Sequence, residues 1–237
     1  MALTKVGSGV IQDDAVGIAN LGATGTASAT TFLRGDNACA SAAAGLNSAQ
    51  FFTSTGTWTK PTGITKVIIE VQGAGGSGNR EDSTDNNNSA GGGGGYAKKF
   101  LDVSSITTSV ITIGAGGAGQ ASNATAGNSG GASSWNDSAG GGSLTITANG
   151  GTGGSTSSLA PSEGGTATNG DINIQGGVGS YNIQGHPAGG SILGNAGVSM
   201  QSTALTNGRG YGAGGGSGRL ATSGPGAPGI VIVWEYK

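Results

Sequence analysis

The residue types that carry out catalysis are scarce in this chain. His186 is the only histidine and Cys39 the only cysteine, and they lie far apart in the sequence. A Ser-His or Cys-His nucleophile would therefore depend on one residue of each kind. Most of the twelve acidic residues sit in polar segments, where strongly shifted pKa values are not expected. We predict no catalytic residues; a hydrolase built on a pair of these carboxylates is the enzyme alternative.

Two glycine or acidic patterns that bind ligands in other proteins occur here in weak form. The spacing G-x-G-x-x-G begins at Gly73, Gly114 and Gly210, as chance predicts for 53 glycines in 237 residues. None of the three opens a predicted helix, whose N-terminus a bound phosphate would need. The segment 81–88 (EDSTDNNN) has oxygen ligands but lacks the spacing of a calcium loop. We predict no nucleotide, no metal and no cofactor.

The charge pattern excludes further classes of partner. Charged residues make up 9% of the chain, the net charge is −2, and no basic patch is present, so nucleic-acid binding is not expected.

The first residues, MALTK, lack the apolar core of a signal peptide, and no run approaches the roughly 18 apolar residues of a membrane span. A single cysteine allows no intrachain disulfide. We expect the chain to be made in a cytoplasm.

Strand signals predict a mainly β fold. The strongest is the last segment, 228–237, which is β-branched and aromatic and follows a Pro-Gly break. Its predicted partner is 66–72, where Val67, Ile69 and Val71 share one face. We predict a small antiparallel sheet or sandwich closed by its first and last strands. The other predicted strands are 50–53, 96–102, 109–113, 143–148 and 171–175.

Aromatic residues divide between this predicted core and the segments outside it. Trp58 and Trp234 are predicted core residues. Trp135 lies in a polar segment; we predict that it too is buried, and an exposed binding role is the alternative.

Glycine blocks alternate with the strands, with no fixed period. A run such as GGGGG suits the extended polyproline-II conformation, which has three residues per turn and no internal hydrogen bonds. Its N–H and C=O groups must then find partners on neighbouring segments. We predict that the blocks pack side by side as polyglycine-II helices, with the polar inserts as loops at the ends of the bundle. The blocks are 73–78, 91–95, 114–119, 140–142, 150–154 and 212–218.

The chain divides into two predicted regions. Residues 1–49 are too few to bury a core alone and are predicted to form an extended N-terminal arm for attachment or trimerisation. Within them the alanine-rich stretch 38–49 is predicted as a short helix that ends near Gly45. Residues 50–237 form the glycine-rich globular tip. The arm residues expected to dock on a partner are Leu3, Val6, Val10, Ile11, Ile18 and Leu21.

Several segments resemble bacteriophage proteins. Residues 32–37 (FLRGDN), after the stretch 25–28 (GTAS), resemble a linker of phage tail-fibre proteins, although Cys39 stands near where that linker has tryptophan. The segments 51–78, 91–98 (GGGGGYAK), 110–119 (VITIGAGGAG) and 226–236 (GAPGIVIVWEY) are similar, in this order, to the glycine-rich domain of phage fibres and adhesins. The resemblance covers nearly the whole chain.

This resemblance implies a virion protein on the tail or capsid surface, made in the host cytoplasm. It implies a homotrimer whose N-terminal arm binds a tail, adaptor or other virion protein. The tip would bind a host surface receptor, either a polysaccharide or an outer-membrane protein. The alternative is a structural or decorative fibre of the head, collar or neck that binds no specific receptor.

The polar inserts supply the candidate receptor-binding residues. Aromatic faces beside asparagine and serine suit sugars or protein loops because they offer contact area at little entropic cost. For Tyr181 and Tyr211, packing against their own loops is an equal alternative. The candidates are Arg80, Asp82, Asp85, Asn87, Tyr181, Asn182, His186, Arg209 and Tyr211.

Overall fold

A computed structural model describes most of the chain, in two compact units, Met1–Gly45 and Leu46–Lys237. In the first unit, strands β1 (Thr31–Leu33) and β2 (Cys39–Ser41) form an antiparallel pair. The six arm residues from Leu3 to Leu21 lie outside the described residues. The described residues are 31–33, 39–41, 45–82, 88–156, 160–181, 187–198 and 207–237.

The second unit contains two antiparallel five-stranded sheets. The first has the order β11-β6-β5-β14-β3 and the second the order β10-β9-β8-β7-β4. The first sheet comprises β3 (Leu46–Phe52), β5 (Lys66–Gln72), β6 (Tyr96–Asp102), β11 (Ile172–Ile174) and β14 (Ile230–Tyr236). The second comprises β4 (Gly56–Thr59), β7 (Thr108–Thr112), β8 (Ser133–Asn136), β9 (Thr145–Ala148) and β10 (Ala167–Thr168). A separate short pair joins β12 (Gly194–Asn195) to β13 (Arg209–Gly210).

The predicted mainly β, antiparallel fold is confirmed, including the role of the last strand. β14 pairs with β5 over its whole length, from Ile230 opposite Gln72 to Tyr236 opposite Lys66. On its other side β14 pairs with β3, the first strand of this unit. The last strand therefore lies between the two earliest strands of the first sheet. β-Branched residues favour this site because they pack well on a pleated surface.

The hydrophobic core lies between the two sheets. Val67, Ile69 and Val71 of β5 and the inward residues of β14 meet the second sheet, where Trp58 and Trp135 are fully buried. The two tryptophan rings are tilted, with centroids 5.0 Å apart. The predictions for Trp58 and Trp135 are confirmed.

The prediction that Trp234 is a core residue is wrong. Successive strand residues face opposite sides, and Val231 and Val233 face the core. Trp234 therefore lies on the outer face of the first sheet, half-buried, with its ring edge-on to Phe51 at 6.1 Å between centroids.

Glu235 takes the inward position that follows Val233, and its carboxylate is fully buried. It accepts hydrogen bonds from Trp58 Nε1 at 2.7 Å, Gln50 Nε2 at 2.7 Å and Ser48 Oγ at 2.5 Å. These donors belong to both sheets, so one carboxylate joins β3, β4 and β14. A buried charge is tolerated only with such hydrogen bonding.

The predicted helix over 38–49 is wrong. Cys39–Ser41 and Leu46–Phe52 are strands, and the second of these pairs with β14. The helix propensity of alanine is a weak local preference, and pairing with a strong strand overrides it.

The glycine blocks other than 140–142 form a bundle beyond one end of the strands, and its hydrogen bonds repeat every three residues. The prediction for 140–142 is wrong: Ser138–Gly140 is a 3-10 helix, and Gly140 bonds to Asp137 and Thr107 beside β7. Residues 73–81 continue from β5 and donate their N–H groups to three neighbouring lines of chain in rotation, at 2.8–3.2 Å. Along 89–95, 125–131 and 224–227 the acceptors step backwards by three residues, so these lines run antiparallel to 73–81. Gly218, the acceptor of Glu81, belongs to a further segment that runs parallel to 73–81. Gly73, Gly76 and Asn79 donate to Gly95, Gly92 and Ser89; Ala74, Ser77 and Arg80 to Gly131, Asn128 and Thr125; Gly75, Gly78 and Glu81 to Ala227, Gly224 and Gly218.

A second segment, 89–95, shows the same rotation. Its donors alternate among lines that contain Ser180 and Gly177, Gly215 and Gly212, and Thr152 and Asn149. Carbonyl groups of 73–81 also accept from Gly117, Gly151, Gly154, Gly215 and Gly218. Segment 73–81 is consequently hydrogen-bonded to six surrounding segments: 89–95, 117, 125–131, 151–154, 215–218 and 224–227.

Glycine is required in the bundle by close approach of the backbones. A Cβ atom added to Gly76 would lie well under 3.0 Å from the carbonyl oxygen of Thr152, a distance that real Cβ atoms essentially never show. Gly75 and Gly92 meet the carbonyl oxygens of Ala213 and Glu163 in the same way. The three-residue repeat equals that of the polyproline-II helix. It supports the polyglycine-II conformation, which stays a prediction.

Substitution of a central glycine should destabilise the bundle. Gly76→Ala places a methyl group against the backbone of Thr152, and backbone atoms cannot move aside as a flexible side chain can. We expect a loss of about 3 kcal/mol or more in the free energy of unfolding, measured by urea titration. Gly190→Ala is the matched control, because its Cβ meets nothing within 4 Å. We expect it to change stability by less than about 1 kcal/mol. Equal losses in the two variants would contradict this account of the glycines.

Neutralising the buried carboxylate should also weaken the fold. Glu235→Gln replaces one acceptor oxygen by an NH2 group that faces other donors, and we expect a loss of about 1–3 kcal/mol in thermal or urea unfolding. Glu163→Gln is the control, because Glu163 is exposed. A stability equal to wild type in Glu235→Gln would show that these three hydrogen bonds do not hold the strands together.

Candidate functional site

The second unit has two opposite ends. β14 starts beside the bundle at Ile230, opposite Gln72, and finishes at Tyr236, opposite Leu46. The chain therefore enters and leaves this unit at the same end, which we call the terminal end. Seven strand residues and nine bundle residues together span about 50 Å. The far side of the bundle, which we call the loop end, contains Arg80–Asp82, Ser89, Ala121–Asn123, Tyr181 and Arg219–Leu220.

Arg80 and Asp82 form a hydrogen-bonded ion pair at the loop end. The Arg80 Nη2 atom lies 3.1 Å from Asp82 Oδ2. The Arg80 Nη1 atom also donates to the carbonyl oxygen of Ala121. Asp82 N donates to Asn123 Oδ1 at 2.7 Å, and Leu220 N donates to Asp82 Oδ1 at 2.8 Å. This pair joins three separate loops.

The charge of Asp82 is favoured by these contacts. The hydrogen bond from Arg80 lowers the pKa of the Asp82 carboxyl below 3.8, and the Leu220 N–H acts in the same direction. Asp82 is thus ionised at neutral pH, and it is used to hold loop structure.

A polar layer lies directly beneath the loops. Asn79 and Ser89 are buried and bond to each other, with Asn79 N to Ser89 O at 3.0 Å and Ser89 N to Asn79 Oδ1 at 2.8 Å. Asn79 Nδ2 donates to Ser155 O at 2.9 Å. The layer fixes where neighbouring loops leave the bundle.

Tyr181 belongs to the same end. It forms an isolated antiparallel bridge with Ser89, and 42% of its surface is exposed. An exposed aromatic ring beside a hydrogen-bonded polar layer can stack on a sugar ring or on a protein side chain. Arg80, Asp82 and Tyr181 are therefore brought to one end. The candidates Asp85, Asn87, Asn182 and His186 lie outside the described residues.

Arg209 and Tyr211 lie elsewhere, on the side of the bundle that faces the sheets. Gly212, next in the chain, donates its N–H to Pro228 O at 2.8 Å, beside the start of β14. Gly210 and Gly212 have φ values of +73° and +77°, which turn the chain sharply there. An open groove of about 390 Å³ is lined by Ser191, Ile192, Leu193, Gly194, Asn195, Arg209 and Gly210.

Sequence reasoning missed Asn123 and Leu220, which both bond to Asp82. Asn123 lies in the insert after block 114–119, and Leu220 follows the block that ends at Gly218, so both positions were recognisable as loops. Their contact with Asp82 was not recognisable, because it depends on which segments are neighbours in the bundle.

The described residues show neither a metal centre nor a membrane helix. Within these ranges no three histidine, cysteine, aspartate or glutamate side chains come together as metal ligands would. The same part of the chain has no helix with the length and apolar character needed to cross a membrane. For binding, the loop end offers hydrogen-bonding groups, the Arg80–Asp82 ion pair and the exposed ring of Tyr181.

The family model of the glycine-rich domain matches residues 50–236. The chain belongs to this glycine-rich domain family. No curated protein matched the chain. The family match spans both sheets and the whole bundle, so the glycine-rich domain includes the strands as well as the glycine blocks.

The Asp82 contacts predict a pH-dependent link between loops. Because the folded pKa is lowered, the link is complete above 3.8 and is lost as the pH falls through the lower folded value. In an NMR titration, the amide proton of Leu220 should shift with a midpoint below 3.8, and Asp82→Asn should abolish that shift. Asp102→Asn, which removes a carboxylate bonded to Ser104 instead, should leave the Leu220 titration unchanged. A Leu220 amide insensitive to Asp82→Asn would contradict the link.

Proposed function

We propose that this chain is a bacteriophage virion fibre protein, in the tail, whose loop end binds a receptor on the host surface. The observation that carries the proposal is that the second unit has two different ends. The chain enters and leaves at the terminal end, and the polar loops meet at the opposite end, about 50 Å away. A binding tip needs this arrangement, since attachment and recognition must not compete for one surface.

The N-terminal region supplies attachment in this proposal. Residues 1–49 bind a tail, adaptor or other virion protein, and the chain assembles as a homotrimer. Several copies of a weak site then bind a cell surface through avidity, without a strong single site. The resemblance of residues 32–37 to a tail-fibre linker supports this part of the proposal.

The loop end suits a polysaccharide or the loops of an outer-membrane protein. Tyr181 offers an exposed ring, and neighbouring polar groups offer donors and acceptors. The bundle beneath is held by a dense hydrogen-bond network, so the loops start from fixed positions. Fixed starting points lower the ordering cost that binding would otherwise incur.

A structural or decorative fibre of the head, collar or neck is the second candidate, and one observation favours it. The charged groups of Arg80 and Asp82 bond to each other and to loop backbone. Two candidate receptor contacts are thereby engaged in loop structure.

Competition for adsorption tests the proposal. The purified full-length chain should reduce attachment of the phage that carries it to its host cells. Tyr181→Ala should raise the concentration needed for half-inhibition at least about 10-fold, since truncation of a central aromatic contact costs more than about 1.4 kcal/mol. Tyr211→Ala, a tyrosine at the sheet side of the bundle, should compete like wild type.

Three results distinguish the candidates. A folded wild-type chain that does not compete would favour the structural fibre. Loss of competition in Tyr211→Ala alone would move recognition to the groove beside Arg209. Equal competition by all three proteins would contradict a role for Tyr181.

A further inference from the structure

The outer face of the first sheet carries several exposed apolar side chains. Phe51 on β3 is 60% exposed, Phe100 on β6 is 54% exposed and Ile172 on β11 is 51% exposed. The registers place all three on the side opposite the core: Phe51 stands opposite Ile232, Phe100 opposite Ile68, and Ile172 opposite Lys98. Exposed apolar patches that span a whole sheet mark interaction surfaces in soluble proteins.

This face has a projection at one side and a pocket at the other. The pocket has a volume of about 180 Å³ and is lined by Ile68, Lys98, Phe100, Asp171 and Ile172. The pocket is open to solvent, and its volume is comparable with the roughly 150 Å³ of an enclosed cavity that binds benzene, so it has room for a phenyl ring. Phe51 projects from β3, three strands away from β6. At about 4.8 Å per strand, projection and pocket lie about 14 Å apart.

We propose that this face is a contact between copies of the chain, in which Phe51 of one copy enters the pocket beside Phe100 of the next. A projection and a complementary pocket on one face allow reciprocal insertion about a twofold axis. They also allow successive insertion around a threefold axis, with the β3 side of each copy against the β11 side of its neighbour. In its threefold form the contact rests on the homotrimer of the proposed function, and it does not depend on host attachment.

The charges on this face favour a second copy as the occupant. Glu70 lies 3.4 Å from Lys98 and accepts from Trp234 Nε1 at 3.1 Å, so it is already paired within the chain. Asp171, at the pocket, lies 2.6 Å from Lys99, whose register position is on the other side of the sheet. Lys66, which is on this face, has its Nζ atom 6.0 Å from the centre of the Phe100 ring. Because positive and negative groups balance, the face does not repel a copy of itself, and it offers no field that would select a strongly charged partner.

The position of the face supports the same occupant. β3 is an edge strand, paired only with β14. An edge strand leaves N–H and C=O groups unpaired, and such a strand can pair with another chain. Leu46 and Ile174 extend the apolar surface to both edges of the sheet, at 55% and 38% exposure. An exposed edge with apolar neighbours is a surface that soluble proteins normally cover.

Sedimentation equilibrium of the full-length chain over a wide concentration range tests the contact. Wild type should self-associate, with a mass that gives two or three copies. Phe51→Ser and Phe100→Ser should each raise the dissociation constant about 30-fold or more, as loss of a buried aromatic anchor does. The double variant should be only slightly weaker than either single one, because the two rings lose the same contact.

Val178→Ser is the matched control. Val178 is 57% exposed, close to the value for Phe51, and lies outside the sheet. It should associate like wild type, and far-ultraviolet circular dichroism, which reports the strands, should be unchanged in every variant.

Three outcomes would overturn the proposal. A wild-type chain that stays monomeric at all concentrations would show that the face meets no second copy. Association unchanged by Phe51→Ser would assign self-association to another part, such as residues 1–45. Effects of Phe51→Ser and Phe100→Ser that multiply in the double variant would show that the two rings do not touch across the contact.

Discussion

Hydrogen bonds between backbones that lie too close for any side chain determine how this protein is arranged. Segment 73–81 is bonded to six surrounding segments, and a Cβ atom at Gly75 or Gly76 would strike a neighbouring carbonyl group. Each ordered glycine costs about 0.5–1 kcal/mol more than alanine, and each net hydrogen bond returns about the same amount. The bundle therefore depends on nearly complete pairing of its N–H and C=O groups, and on the sandwich that fixes where its segments begin.

This constraint separates structure from recognition. Glycine segments have no side chains to offer a ligand, so chemical variety is confined to the loops and to the outer faces of the sheets. Because 73–81 and 89–95 continue directly from β5 and into β6, the sheet order fixes neighbours in the bundle and hence which loops meet. The contact of Asp82 with the loop that contains Leu220 follows from that order. Loop sequences could then vary without disturbing the bundle.

Strands with strong apolar patterns were predicted from the sequence. Strands that are polar and form because they pair with neighbouring strands were missed. Tyr96–Asp102 was predicted to the residue, with a glycine block directly before it, whereas Ser133–Asn136 is mostly polar and forms a strand only by pairing with β7 and β9. The burial of Trp135 was predicted correctly. The prediction that Trp234 is buried was wrong, because the sequence did not show which alternate residues of β14 face the core. The separation of Tyr211 from Tyr181 was not predictable, since glycine spacing does not say at which end of a bundle a turn lies.

Scalar couplings through hydrogen bonds, between amide nitrogen and carbonyl carbon, test the central claim most directly. In the deuterated, 15N- and 13C-labelled protein, the amides of Gly73, Gly76 and Asn79 should couple to the carbonyls of Gly95, Gly92 and Ser89. The amides of the following residues, Ala74, Ser77 and Arg80, should couple to the carbonyls of Gly131, Asn128 and Thr125, so that the pattern repeats every three residues. Amides in 73–81 that exchange rapidly with solvent, or that couple with the two-residue alternation of a β ladder, would contradict a bundle of this kind.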